Sequence, residues 1–440
     1  MSNLTENYRY KLNDKPSFLE GVVLGFQHVC VMMAGLLSVP LTFASALSAA
    51  GMNVDASYMI QCALFASGVT TIIQSLGIWR IGSRLPISMG VSMIFITPGI
   101  MIATKWGMAS LITAFIICGI IEAFLGAFLS RTLKALIPPL IAGAVVTCMG
   151  VLLFGMAITY CGGGFDSENY ASLLNLGLAF LTLVIIILLN RFSKGFINAA
   201  SVLIGIAICY VISAAMGKID FTPVAQASWF SVPKPLAFGL EINLNAIAIV
   251  FVLYIVSLMD FAGTTTAVAK MAAGREPTDN EFRGGIICDG LGSAFSALFN
   301  SLPNVSYGNC VGLIGITGVA SRFIMAFCGG ILVLISFIPK ISAALSIVPP
   351  AVLGGSMLVL FGMVATAGLD ILRSVKFTQR NMLILGVAFA VGIGFSYDSS
   401  GLVNLPYLVQ LLISGGPGTA LVAIILNFVL PKDEEGTIPS

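Results

Sequence analysis

The chain has 440 residues, 58% of them hydrophobic and only 9% charged, with a formal net charge of +2 and a mean hydropathy of +1.02. A soluble domain carries roughly 25% charged residues, so the composition excludes a soluble enzyme or binding module and indicates an all-α polytopic membrane protein; a transmembrane barrel would instead show short alternating segments. The charge balance gives no reason to expect a nucleic-acid partner.

The first 19 residues are polar and carry Arg9, Lys11 and Lys15. They lack the pattern of a cleaved signal peptide and are expected to form a cytoplasmic tail. Beyond them, apolar runs of spanning length, about 17–25 residues, fall near 20–38, 57–78, 108–130, 136–158, 171–190, 196–216, 245–270, 322–338, 345–368 and 406–429. Shorter or interrupted runs fall near 86–104, 284–300, 303–321 and 381–396. Together they predict fourteen spans, followed by a cytoplasmic tail over 431–440. The nine cysteines, among them Cys62, Cys118, Cys148, Cys209 and Cys328, lie mostly inside these runs. Their spacing fits neither a zinc site nor a disulfide framework.

Orientation follows from the excess of basic residues on the cytoplasmic side. With the N-terminus inside, seventeen of the 21 basic residues are cytoplasmic, and only Lys105, Lys218, Lys234 and Lys340 lie opposite. Removing one central span would scramble that segregation, so both termini are expected in the cytoplasm.

Two echoes suggest an internal repeat. Arg84-Leu-Pro-Ile-Ser-Met-Gly90 resembles Ser301-Leu-Pro-Asn-Val-Ser-Tyr-Gly308, and Ile137-Pro-Pro-Leu-Ile-Ala-Gly-Ala144 resembles Val348-Pro-Pro-Ala-Val-Leu-Gly-Gly355, at offsets of 217 and 211 residues. Seven spans per copy is an odd number, so the copies, 20–216 and 217–430, are expected to be inverted relative to one another. The interrupted runs 86–104 and 303–321 are the third span of each copy. The second carries Pro303 and Gly308, Gly312, Gly315 and Gly318. Paired broken spans mark a substrate site near the bilayer midplane. Pro86–Met89 and Asn304–Tyr307 are expected to be extended, with half-helices after them directing positive N-termini at the cavity.

Ionisable groups inside spans are costly, at least ~2.5 kcal/mol at the centre, so each is a candidate. Asp260 lies mid-span in Ser257-Leu-Met-Asp-Phe-Ala-Gly-Thr-Thr-Thr266, where a carboxyl able to alternate between charged and neutral suits a proton-coupled carrier. His28, the single histidine, is either a helix-to-helix hydrogen bonder or a proton relay. Asp289 either caps a half-helix, pairs with Arg283, or serves the site. Glu122 is either a second proton site or a residue facing a polar interior. No metal spacing, phosphate loop or nucleophile–base pair is evident, so the chain is not expected to be an enzyme or to hold a cofactor.

At these residues the chain resembles the nucleobase–ascorbate transporters, the uracil/xanthine permease family. Tyr307-Gly-Asn-Cys-Val-Gly-Leu-Ile-Gly-Ile-Thr-Gly-Val-Ala-Ser-Arg322 looks like its signature. Gly25-Phe-Gln-His-Val-Cys-Val-Met-Met-Ala-Gly35 is similar to its first span, Asp289-Gly-Leu to its ninth and Ile347-Val-Pro-Pro-Ala-Val-Leu-Gly-Gly-Ser356 to its twelfth. Asn190-Arg-Phe and Ser201-Val-Leu-Ile-Gly205 resemble the xanthine/urate branch. The resemblance covers about 19–430. It implies a core domain of spans 1–4 and 8–11, a gate domain of spans 5–7 and 12–14, and short β-strands in spans 3 and 10. It also implies a homodimer in the cell membrane.

For the site it implies that Asp260 and Asn309 bind the base, flanked by Gly308 and Cys310. Ser92, Met93 and Phe95 would supply backbone contacts or stacking, with His28 and Asp289 as support and a proton as coupling ion. Three positions depart from the family pattern: Asp260 replaces the usual Glu, Asn309 followed by Cys310 replaces Gln or Glu followed by Asn, and Thr264 stands where the purine branch has Asp. The expected activity is import of an oxidised purine, xanthine or urate, by proton symport with alternating access. The alternatives are a uracil permease, or an anion transporter or channel on the same plan.

Overall fold

The computed structural model describes residues 8–136, 138–164, 169–373, 375–398, 400–405 and 407–431. In chain order the first part holds α1 (Phe18–Ala49), α2 (Ala56–Leu76), β1 (Ser88–Val91), α3 (Ile96–Leu136), α4 (Pro139–Leu152), α5 (Phe154–Cys161), α6 (Leu173–Phe192), α7 (Gly195–Ala199), α8 (Ser201–Ala215) and α9 (Thr222–Gln226). The second holds α10 (Leu244–Ala273), α11 (Asp279–Leu298), β2 (Asn304–Tyr307), α12 (Asn309–Thr317), α13 (Arg322–Ser336), α14 (Pro339–Ser346), α15 (Pro350–Leu372), α16 (Gln379–Tyr397), α17 (Tyr407–Ile413) and α18 (Gly415–Val429). Proline starts several of them, at Pro139, Pro339 and Pro350, because its fixed φ and missing N–H suit a first turn.

Among the described residues, eight helices are long and apolar enough to cross a membrane, or nine if α13 and α14, bent by 87°, form one span. The remaining apolar runs form elements of other kinds. The runs 86–104 and 108–130 join through α3, which changes direction at Gly107 (φ 86°). The run 303–321 holds β2 and the nine-residue α12. Helices α8 and α18 have only 15 residues each. Helix α11 opens on Asp279 and Glu281 and carries Asp289, which lowers its apolarity.

The helices pack in two groups. One places α1, α2, α3, α10, α11 and α13 around the paired strands; the other builds α4, α5, α6 and α8 against α15, α16 and α18. In the first group α2 lies on α13 and α3 on α11, and each pair closes on facing glycines. A Cβ at Gly68 would stand 2.7 Å from the Gly329 carbonyl oxygen, and one at Gly119 would stand 2.6 Å from that of Gly290. Small residues let backbones approach this closely, and close approach drives helix association where lipid is as apolar as leucine. Gly290 follows Gly68 by 222 residues and Gly329 follows Gly119 by 210, close to the offsets of the sequence echoes. The contacts of α1 on α13 and of α10 on α3 echo each other in the same way. Helices α6 and α16 turn most of their surface outward, with Phe180, Ile187, Met382 and Leu383 exposed to lipid. Residues 8–14 strap across the start of α13: Ala320 N–H donates to Tyr10 O (2.8 Å), and Ser321 Oγ donates to Asp14 O (2.6 Å).

Gly290→Ala places a methyl 2.5 Å from the Gly119 oxygen and forces α3 and α11 apart. The expected cost is about 1–3 kcal/mol, read as a fall of several degrees in Tm in detergent. Gly330→Ala, with no atom within 4 Å of its Cβ, is expected to leave Tm unchanged. Equal Tm values for the two variants would contradict the close-packing assignment.

Candidate functional site

Strand backbone inside a bilayer must find partners within the protein. Here β1 and β2 supply most of them to each other, as an antiparallel pair with Ser88 opposite Tyr307, Met89 opposite Ser306, Gly90 opposite Val305 and Val91 opposite Asn304. The pairing extends through Ser92 N–H to Pro303 O (3.0 Å).

Side chains of the flanking helices satisfy the outer edges. From α2, Thr71 Oγ1 accepts from Met89 N–H (2.9 Å); from α11, Ser293 Oγ donates to Asn304 O (2.6 Å) and Ser296 Oγ to Leu302 O (2.6 Å). The fully buried Asn304 ties both helices together: its Nδ2 donates to Thr70 Oγ1 (3.0 Å), and its Oδ1 accepts from Ser67 and Ser296 (3.4 Å each). Tyr307 donates to Val91 O (2.7 Å). Its ring fills space that side chains at Gly35 and Gly90 would occupy, since a Cβ at either would lie within 3 Å of it.

Because the strands are antiparallel, their helical continuations leave in opposite directions. Ser92 Oγ caps the turn before α3, accepting from Ile94 N–H (3.3 Å), and Gly308 caps α12. The two helix N-termini thus lie at opposite ends of a four-residue strand pair, on the order of 15 Å apart at about 3.4 Å per residue. Each offers unpaired N–H groups and a partial positive charge.

Helix α10 packs against β2 and α12. It presents Asp260, half-buried, and Thr264 one turn later, whose Oγ1 lies 3.7 Å from the Cβ position of Gly308. The structure therefore brings Thr264 to the β2–α12 junction, with Asp260 one helical turn before it on α10. The side chains of Asn309 and Cys310 lie outside the described residues; their backbone forms the first turn of α12. Ser92 is buried and Met93 half-buried at the opposite junction. Phe95 is fully buried, its ring packed on Phe115 (5.5 Å) and Tyr254 (5.2 Å) behind the strands.

Asp289 neither caps a helix nor pairs with Arg283. The cap of α11 is Thr278, in a capping box with Glu281. Asp289 lies in the middle of α11, fully buried, where Oδ1 accepts from Ser306 Oγ of β2 (3.4 Å). Glu122 approaches it from α3, close to the Gly119–Gly290 contact. Both Glu122 oxygens and Asp289 Oδ2 are buried without a donor among the described residues. His28 is buried in α1.

The polar stripe Ser67, Thr70, Thr71, Gln74 and Ser75 escaped the sequence reading, although it follows the helical period i, i+3, i+4, i+7, i+8. So did Ser293, Ser296 and Asn304.

Comparison with known proteins follows the same lines. The model of the Permease family (Xan_ur_permease) matches residues 19–400. A uric acid permease (PucJ) of Bacillus subtilis (strain 168) is 35% identical, covering 92% of this chain and 91% of the relative. The xanthine permease of the same organism is 33% identical, covering 92% of each. A nucleobase transporter (PlUacP) of Paenibacillus larvae is 35% identical over 93% of this chain and 94% of the relative. Among solved structures, the transmembrane domain of the cyanobacterial bicarbonate transporter BicA superposes with a TM-score of 0.63 at 16% identity, covering 95% of this chain and 99% of that one.

Asn304→Ala strips buried partners from Thr70, Ser67 and Ser296 at once. The expected cost is about 1–3 kcal/mol, seen as a lower Tm together with loss of uptake. Wild-type Tm and uptake in that variant would show that the strand pair does not depend on Asn304.

Proposed function

We infer what is carried, and how, from one premise: the chain belongs to the Permease family and is a nucleobase transporter. The proposed cargo is an oxidised purine, xanthine or uric acid, imported across the cell membrane in symport with a proton. The names of the relatives support a purine. The observation that supports this assignment of the site is the packing of α10 on β2 and α12, with Thr264 against Gly308 and Asp260 one turn before it.

An oxidised purine presents ring N–H donors beside carbonyl acceptors. In the proposed mode, the Asp260 carboxylate accepts from ring N–H groups, and Asn309 reads an adjacent N–H/C=O edge in bidentate fashion. The N-termini of α12 and of the turn at Ser92 and Met93 face the carbonyl oxygens. Gly308 leaves room for the ring, Cys310 lines the same turn, and Phe95 stiffens the floor by packing from behind.

Proton coupling is assigned to the carboxyl groups. Asp260 on α10, Asp289 on α11 and Glu122 on α3 are the carboxyls of this group of helices, Asp289 and Glu122 fully buried and Asp260 half-buried. The Glu122–Asp289 pair is the proposed second station for the proton. His28 stiffens the core beside the site. The proposal includes fourteen spans in two inverted copies, 20–216 and 217–430, a core group moving against a gate group for alternating access, cytoplasmic termini, and a homodimer.

The inorganic-anion reading is less well supported: such an ion offers no ring N–H donors to Asp260, and the relatives are named for purines. Uracil is the remaining alternative within the class.

Uptake of labelled xanthine, urate, guanine and uracil, with and without protonophore, tests the proposal. Uptake of an oxidised purine is expected, rising as external pH falls and collapsing with protonophore. Asp260→Asn is expected to lose at least ~100-fold in uptake, about 2.7 kcal/mol for a charge-assisted contact, and Asp260→Glu to retain part of it. Uptake of uracil alone would overturn the cargo, protonophore-resistant accumulation would overturn the coupling, and full activity of Asp260→Asn would remove Asp260 from the mechanism.

A further inference from the structure

A cavity lies between the loop joining α2 to β1 and the first turn of α11. Its volume is about 560 Å³, and its walls include Trp79, Arg80, Arg84, Thr278, Asn280 and Arg283. Three arginines line one space. None has a carboxylate partner among the described ion pairs. Arg80 stacks on the Trp79 ring (5.4 Å), Arg84 donates to Trp79 O (3.1 Å), and Arg283 Nε is a buried donor without an acceptor among the described residues.

The acidic residue on the wall, Glu281, is already neutralised. Arg275 clamps it through two contacts of 2.7 Å, and it accepts from Thr278 N–H (2.8 Å). The net field in the cavity is therefore positive. The N-terminal turn of α11 adds to it through the partial positive charge at a helix start.

The loop is also strained at this cavity. Trp79 (φ 55°) and Arg84 (φ 59°) are two of the five non-glycine residues in left-handed conformation among the described residues. Each costs on the order of 1–3 kcal/mol, and such residues cluster at ligand clamps. Gly82 pins the loop to α11 by donating to Gly284 O (2.8 Å), and the chain enters β1 four residues after Arg84.

We propose that this cavity binds a phosphate-bearing anion, held by Arg80, Arg84 and Arg283 and the first turn of α11. Planar guanidiniums suit phosphate oxygens because each offers paired N–H donors. Such a ligand ties the strand-entry loop to α11, the two elements that fix β1 and β2. The phosphate arrives either on a lipid headgroup or free in solution. This site does not depend on which base is carried.

The test uses the full chain purified in neutral detergent, with thermal unfolding followed as phosphatidylglycerol, phosphatidylcholine or inorganic phosphate is added. Stabilisation by phosphatidylglycerol but not by phosphatidylcholine or inorganic phosphate assigns a lipid headgroup; stabilisation by inorganic phosphate assigns free phosphate. In either case Arg80→Gln, a change at an exposed side chain, and Arg283→Gln are each expected to weaken the apparent affinity about tenfold. Lys376→Gln, an exposed cation away from the cavity, is expected to leave it unchanged. Two results overturn the proposal: no stabilisation by either anion beyond that of phosphatidylcholine, or full stabilisation retained in both arginine variants.

Discussion

The structure depends on one constraint: backbone that is not helical cannot stand in lipid with its hydrogen bonds open. Two spans break, at Pro86 and Pro303, and each break is tolerable only because the other exists. The pairing of β1 with β2 accounts for their shared edge. Helices α2 and α11 account for the outer edges, with Thr71 on one side and Ser293 on the other. Neither strand would be stable in hydrocarbon without the opposite half of the chain.

This arrangement explains why so many small and polar residues occupy one group of helices. Ser67, Thr70 and Thr71 of the α2 stripe reach the strands, as do Asp289 and Ser293 of α11, with Ser296 bonding Leu302 and Asn304; Gln74 holds the loop before β1. The backs of the same helices carry glycines that let α13 and α3 close against them. One face of each helix thus buys hydrogen-bond satisfaction, and an adjacent face supplies close packing. The two strand–helix junctions then carry fixed dipoles at opposite ends of the strand pair, and α10, which bears Asp260, packs on one of them. A nucleobase carrier needs that combination, since its cargo is flat, polar at its edges and weakly charged.

Much of this was legible in the sequence, for physical reasons. Proline and clustered glycine disfavour helix, so the broken spans stood out, and β2 occupies the residues expected to be extended, Asn304–Tyr307. Strand β1 begins two residues later than expected, at Ser88, because Leu85–Ile87 still belongs to the tight loop held by Gln74 and α11. Asp260 was legible because a lone carboxyl at mid-span is costly.

Other features were hidden in kind. By apolar length the runs 284–300, 196–216 and 406–429 count as spans, yet the helices formed there are not among those long and apolar enough to cross: α11 carries charge at its start, and α8 and α18 are short. Asp289 looked like a cap because apolar runs set the expected start of its span. Thr278-Asp-Asn-Glu281 is a capping-box pattern that places the start earlier and Asp289 mid-helix. The proximity of Glu122 to Asp289 could not be read from sequence, because it arises from the packing of α3 on α11. The central claim, that the β2–α12 junction on which α10 packs is where the base binds, is tested most directly by determining the structure of the carrier with xanthine or urate bound. The account predicts the purine ring between Asp260 and the first turn of α12, within hydrogen-bond distance of both. A ring seated elsewhere, with Asp260 and α12 unengaged, would contradict it.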